Sequence, residues 1–156
     1  MIKFVSGDIL QTKSSYIAQG VATDSQEGMG AGLALKISSK WPDVQKHFKQ
    51  FTRSQKFHGG DIFVVALARN RPGIIYVATQ PDMYHASLSF LNRGLRKLAR
   101  YCVKHQLESV SLPKIGVGLG KLDWEEEVKP LLVKHLADLE TNFFIYEDFK
   151  REDESS

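Results

Sequence analysis

The chain has 156 residues, room for one core built around a sheet and too few for two independent cores. At 42% hydrophobic and 25% charged it has the balance of an ordinary globular protein, which excludes a disordered or low-complexity chain. The net charge of +3 suits an anionic ligand but falls short of the basic stripe of a dedicated nucleic-acid binder, so nucleic acid is not an expected partner.

Lys3 to Val5 read as an opening strand that passes straight into Gly7-Asp8, without the apolar segment of a signal peptide. Ile17 to Ala22 read as a second strand, interrupted by Gly20 where the backbone would approach a neighbour closely. Gly28-Met29-Gly30-Ala31-Gly32 then leads into a small-residue helix, Leu33 to Ser39, which should stop near Trp41-Pro42 because proline disfavours helical geometry in the residue before it. An amphipathic piece, Asp43 to Phe51, precedes two apolar runs, Ile62 to Ala66 and Ile74 to Ala78. The turn residues Asn70-Arg71-Pro72-Gly73 between them predict a strand pair. The longest apolar run, Ile62 to Ala68, is too short to span a bilayer, so no membrane partner is expected.

From Ser87 to His105, Leu88, Leu91, Leu95, Leu98 and Cys102 recur at helical spacing, with Arg93, Arg96, Lys97, Arg100 and Lys104 on the polar positions. Cys102 is the only cysteine, which rules out an intramolecular disulfide and fits a reducing, cytoplasmic location. Ser109 to Leu112 read as a buried strand feeding Pro113-Lys114-Ile115-Gly116-Val117-Gly118-Leu119-Gly120. Asp123 is then expected to cap a helix with Glu126 reaching back to it. Pro130 must either sit in the first turn of a later helix or kink this one. Asn142 to Glu147 form a last, aromatic-rich strand. Residues 2–149 are expected to make a single domain, with Lys150 to Ser156 a polar tail.

This alternation predicts an α/β fold of three layers, α/β/α, with a mixed, largely parallel central sheet. In such sheets ligands bind outside the carboxyl ends of the strands. Gly28-x-Gly30-x-Gly32 and Gly116-x-Gly118-x-Gly120 each follow a predicted strand and precede a predicted helix. Residues without a β-carbon let backbone N–H groups converge on phosphate oxygens, so the two loops together suit a diphosphate. Neither ends in the lysine-serine/threonine of a P-loop or continues into a dinucleotide fingerprint, which argues against a kinase, an NTPase or a nicotinamide dehydrogenase. The histidines at positions 47, 58, 85, 105 and 135 lack ligand spacing, so no metal and no cofactor is expected.

With these motifs in order, the chain resembles the macrodomain family. Phe4-Val5-Ser6-Gly7-Asp8-Ile9-Leu10 is similar to its opening strand and adenine motif, Gly28 to Ala34 to its first phosphate loop, and Ser111 to Leu119 to its second. The resemblance runs from about Ile2 to Tyr146 and is nearest the branch containing the terminal ADP-ribose protein glycohydrolase and related antitoxin macrodomains. It implies that Asp8 accepts from the adenine amine and that the Ile9 backbone meets the base edge. It also implies that backbone groups of Gly30, Ala31, Gly32, Gly116, Val117, Gly118 and Leu119 hold the diphosphate. Tyr146 is either a stacking surface for adenine or a core tyrosine.

The same resemblance exposes two departures. The catalytic lysine and aspartate of that branch correspond to Gln80 and Gly120, so a lysine-dependent mechanism is not expected. Asp24 is the candidate base for a water-attack mechanism, with Asp82, His85 and Asp123 in segments able to approach the distal ribose. Three functions follow: a reader of free or protein-linked ADP-ribose with weak or no turnover, an active hydrolase of ADP-ribose 1″-phosphate, an O-acyl ester or ADP-ribosylated protein, and a nucleotide- or RNA-binding domain using the basic helix.

Overall fold

The computed structural model describes residues 1–23, 32–82, 84–117 and 120–148. In chain order they form β1 (Ile2–Ser6), a 3-10 turn (Ile9–Gln11), β2 (Tyr16–Ala22), α1 (Gly32–Lys40), α2 (Pro42–Ser54), β3 (Ile62–Val65) and β4 (Gly73–Gln80). They continue with α3 (Leu88–Lys104), β5 (Ser109–Pro113), a π-helical turn (Trp124–Val128), α4 (Lys129–Leu136) and β6 (Asn142–Asp148). The six strands make one sheet in the order β1-β6-β5-β2-β4-β3, parallel throughout except for β3, which runs antiparallel to β4. The expected strand pair is therefore the antiparallel edge of an otherwise parallel sheet. Lys150 to Ser156, read as a tail, lie outside the described residues.

Strands in the middle of a parallel sheet are covered on both faces and read as continuous apolar runs. Accordingly β4 is buried over seven of its eight residues, and β2 over six of seven. On one face Ala18, Ile75, Val77, Leu112 and Ile145 pack against Leu91, Leu95 and Leu98 of α3 and Leu132 and Leu136 of α4. On the other, Ile17, Val21, Ile74, Tyr76 and Ala78 pack against Ala34 and Ile37 of α1 and Val44 and Phe48 of α2. Phe48 stacks on Tyr76 with ring centroids 4.3 Å apart, and Phe51 stacks on Phe63 at 4.4 Å.

Helix ends obey local chemistry. Ser87 caps α3 by accepting from the Phe90 amide at 3.2 Å, and the helix closes at His105, whose amide donates to the Tyr101 carbonyl. Leu88, expected on the apolar stripe, is the first helical residue and stays 39% exposed because the sheet begins to meet α3 only one turn later. Asp123 caps its turn as expected, accepting from the Glu126 amide at 2.8 Å, but the side chain reaching back to the Asp123 amide is Glu127, at 2.9 Å. The correction has a geometric cause. The turn is π-helical, with the Val128 amide donating to the Asp123 carbonyl, and the wider turn moves the reaching position one residue on. Pro130 then falls in the first turn of α4, the helical position that proline tolerates best.

Gly94 sits mid-helix in α3 because the helix lies directly on the sheet there: a β-carbon would come 2.4 Å from Val77 Cγ1. Alanine would recover about 1 kcal/mol of helix propensity, but overpacking a tight core costs about 1–3 kcal/mol. Gly94→Ala is therefore expected to lower unfolding stability by about 1–2 kcal/mol in denaturant titration. Adding Val77→Ala should make the pair less than additive.

Candidate functional site

The parallel sheet brings the C-terminal ends of β1, β6, β5, β2 and β4 to one rim. Where β1 ends, Gly7 adopts φ +138°, a conformation that side chains rarely allow, and its amide donates to the Asp148 carbonyl of β6 at 3.0 Å. Asp8 follows as the cap of the 3-10 turn, with Oδ1 accepting from the Leu10 amide at 3.0 Å. A carboxylate has acceptor capacity beyond one such bond, so the capping role leaves Asp8 able to accept again.

Around this turn lies a cleft of about 200 Å3. Gly7, Asp8, Ile9 and Leu10 line it from the turn, Gly32, Leu33 and Lys36 from α1, Pro113 from the end of β5, and Tyr146 and Asp148 from β6. Asp8, Ile9, Gly32 and Tyr146, named separately from sequence, thus share one cleft. Tyr146 is half-buried, packs beside the α1/α2 cluster and forms part of the cleft wall. Leu33, Lys36, Pro113 and Asp148 were missed. Lys36 carried a faint signal, one helical turn after Gly32, whereas Asp148 enters only through the pairing of Ser6 with Asp148 across β1 and β6.

The second glycine-rich segment leaves β5 through a tight turn. The Ile115 amide donates to the Pro113 carbonyl at 2.8 Å, Gly116 takes φ +81°, and the Leu122 amide donates back to the Gly116 carbonyl at 3.0 Å. The Val117 amide donates to the Lys114 carbonyl at 3.2 Å, so it is engaged within the turn. Gly30, Ala31, Gly118, Leu119 and the candidate base Asp24 lie outside the described residues.

Further along the rim, at the end of β4, a second group of side chains gathers. The Thr23 amide donates to the Gln80 carbonyl at 2.9 Å, tying the end of β2 to that of β4. The Gln80 side-chain amide donates to the Asp82 carbonyl at 2.7 Å, and the Ala86 amide donates to the Gly120 carbonyl at 2.9 Å. A β-carbon on Gly120 would lie 3.2 Å from Gln80 Oε1 and 2.9 Å from Ala86 Cβ. The two positions that depart from the resembled branch therefore face each other, forty residues apart in the chain.

Asp82 accepts from the Tyr84 amide at 2.8 Å and lies 3.0 Å from His85 Nδ1. The Tyr84 amide, with a smaller part from His85, holds the Asp82 carboxyl below its usual range. Asp123, by contrast, is spent as a cap on the turn before α4. Cys102 is no nucleophile: burial pushes its thiol up to about 12. Among the described residues no group of three or more His, Cys, Asp or Glu could hold a metal ion, and no helix is long and apolar enough to cross a membrane.

With this geometry established, comparison with known proteins places the chain. The Macro domain family model matches residues 21–130. The chain is 29% identical over 126 residues to human ADP-ribose glycohydrolase OARD1, covering 80% of this chain and 77% of that protein. It is 28% identical over 130 residues to the DNA ADP-ribosyl glycohydrolase of Mycobacterium tuberculosis, covering 81% of this chain but 36% of that protein, so it spans about a third of that relative's length. Among solved structures, the macrodomain of Mycobacterium tuberculosis DarG superposes with a TM-score of 0.85 at 28% identity, covering 94% of this chain and 97% of that one. The macrodomain of Thermus aquaticus DarG gives 0.82 at 30%, covering 94% and 98%. A six-stranded mixed sheet between two helical layers, with its cleft at the carboxyl rim, and a family match across most of the sequence lead to one assignment: the chain belongs to the Macro domain family.

Proposed function

We propose that this chain binds ADP-ribose, free or attached to a carrier, with the adenine in the cleft between the Gly7–Asp8 turn, α1 and Tyr146. The observation that carries the reading is the convergence of Asp8, Ile9, Gly32 and Tyr146, from three distant stretches of sequence, on that single cleft. The Asp8 carboxylate accepts from the exocyclic amine, and the face of Tyr146 offers the ring a stacking surface. Lys36 at the cleft wall adds positive potential for the phosphates. Backbone groups of Gly30, Ala31, Gly32, Gly116, Gly118 and Leu119 are assigned to the diphosphate on sequence resemblance. Val117 is a weaker candidate because its amide already has a partner.

The distal ribose then lies toward Gln80 and Gly120. Strand order puts β4 three steps from β6, about 14 Å at ordinary strand spacing, a span that an extended diphosphate and two riboses cover. There the protein offers a neutral amide and a glycine in place of an amine and a carboxylate, so no Schiff-base route through position 80 exists. A relative named for action on ADP-ribosylated DNA makes DNA a candidate carrier beside the protein carrier expected from the sequence. A binding module without a lysine-dependent reaction is the reading that fits these residues.

Asp8→Ala is expected to weaken ADP-ribose binding by about 1–3 kcal/mol in calorimetry, the scale of a lost hydrogen bond to a charged group. Unchanged affinity in a folded variant would remove Asp8 from the site. Gln80→Lys with Gly120→Asp should confer release of ADP-ribose from modified protein only once Ala86→Gly makes room for the new β-carbon. The double variant alone should lose about 1–3 kcal/mol of stability to the clash with Ala86. A triple variant that binds ligand yet releases nothing counts against the correspondence of Gln80 and Gly120 with the catalytic pair.

A further inference from the structure

The loop between β4 and α3 carries a histidine and a carboxylate arranged as a pair. His85 Nδ1 is 3.0 Å from one Asp82 carboxylate oxygen and 3.2 Å from the other. The carboxylate is itself fixed by the Tyr84 amide at 2.8 Å, and the Asp82 carbonyl accepts from the Gln80 side chain at 2.7 Å. Immediately after His85, the Ala86 amide donates to the Gly120 carbonyl and the Ser87 amide to the Thr79 carbonyl. The pair is thus pinned on both sides to positions 80 and 120, where the lysine and the aspartate of the resembled branch would stand.

An ionised Asp82 has only acceptors to offer, so Nδ1 must carry the proton of this hydrogen bond. The neutral ring then presents Nε2 as an open acceptor, the tautomer that a base needs. The His85 side chain is 67% exposed, within reach of water. As a stabilising contact the pair has little to contribute, because both side chains are open to solvent.

We propose that Asp82 and His85 form a general-base dyad that activates water for hydrolysis at the distal ribose of a bound ADP-ribose derivative. This rests on the binding reading above. Water oxygen attacks C1″ while His85 Nε2 takes its proton. The bond from C1″ to the leaving oxygen breaks, and its electron pair stays on that oxygen. The imidazolium then returns its proton to solvent. With ADP-ribose 1″-phosphate the products are ADP-ribose and inorganic phosphate. Asp82 is a positioning residue: it sets the ring and its tautomer without touching the reacting atoms. Neither the Gln80 amide nor Gly120 supplies an acid to a leaving group, so the dyad favours groups that depart as stable anions, phosphate or carboxylate, over a nitrogen linkage.

The test uses the full chain with ADP-ribose 1″-phosphate in 18O-labelled water, beside calorimetry with ADP-ribose. The expected result is phosphate release with the label in the ribose hydroxyl. His85→Ala should slow release by about 100-fold or more, the usual scale for a lost general base, with affinity retained. Added imidazole should restore part of the rate, which a merely structural role would not allow. Asp82→Asn should lower the rate by a smaller factor, and His85→Gln serves if the alanine variant fails to fold. Binding without release in the wild type, an unchanged rate in both His85 variants, or label in the phosphate overturns the dyad and leaves the binding reading standing. Absence of ADP-ribose binding overturns both.

Discussion

The parallel pairing of β2 with β4 on one side and β5 on the other is the constraint on which the site depends. Ile17 stands opposite Ile74 in one neighbour and Ser111 in the other, so one strand sets the register of three. Because both faces are buried, a slip of one residue would exchange the side chains facing α3 and α4 with those facing α1 and α2. Apolar burial on two sides therefore fixes where the strands end: Ala22, Gln80 and Pro113 are delivered to the same edge. Gly20 makes the close approach possible there. A β-carbon would fall 2.6 Å from Thr79 Oγ1 and 3.1 Å from Ile115 Cγ1, so strand ends and the following turn share space that no larger residue could leave them.

From that rim the chemistry separates into two neighbourhoods. Near β1 and β6 the walls are largely apolar, with Asp8, Asp148 and Lys36 supplying the charges, a surface suited to an aromatic ring with a polar edge. Near β4 the surface is polar and rests on hydrogen bonds: Gln80 to the Asp82 carbonyl, Tyr84 to the Asp82 carboxylate, Ala86 to Gly120. The first neighbourhood is a largely apolar cleft and the second a hydrogen-bonded loop. The second is braced from Gln80 itself, with an Asp–His pair held beside it.

Local structure was largely legible because it depends on local rules. The spacing of Leu91, Leu95, Leu98 and Cys102 gave α3, and Ser87 marked its start; Trp41-Pro42 separated α1 from α2; the turn residues before Gly73 marked the strand pair. Where a rule met a competing geometry it misplaced one residue. Glu126 fits a capping box on an α-helix, but the π-helical turn ahead of Pro130 hands that bond to Glu127. Within the cleft, Asp8, Ile9, Gly32 and Pro113 fall in motifs that carry the resemblance, whereas Asp148 carried no mark of its own.

The sequence by itself determined the elements, their apolar faces, the family resemblance and the presence of a glutamine at position 80, since each is written in residue type and short-range spacing. Tertiary structure alone decided the strand order β1-β6-β5-β2-β4-β3, the cleft that joins the first turn to the last strand, and the meeting of Gln80 with Gly120 beside Asp82 and His85. These are contacts between segments tens of residues apart, formed because two apolar faces must be buried at once, and no short window of sequence contains both partners of such a contact.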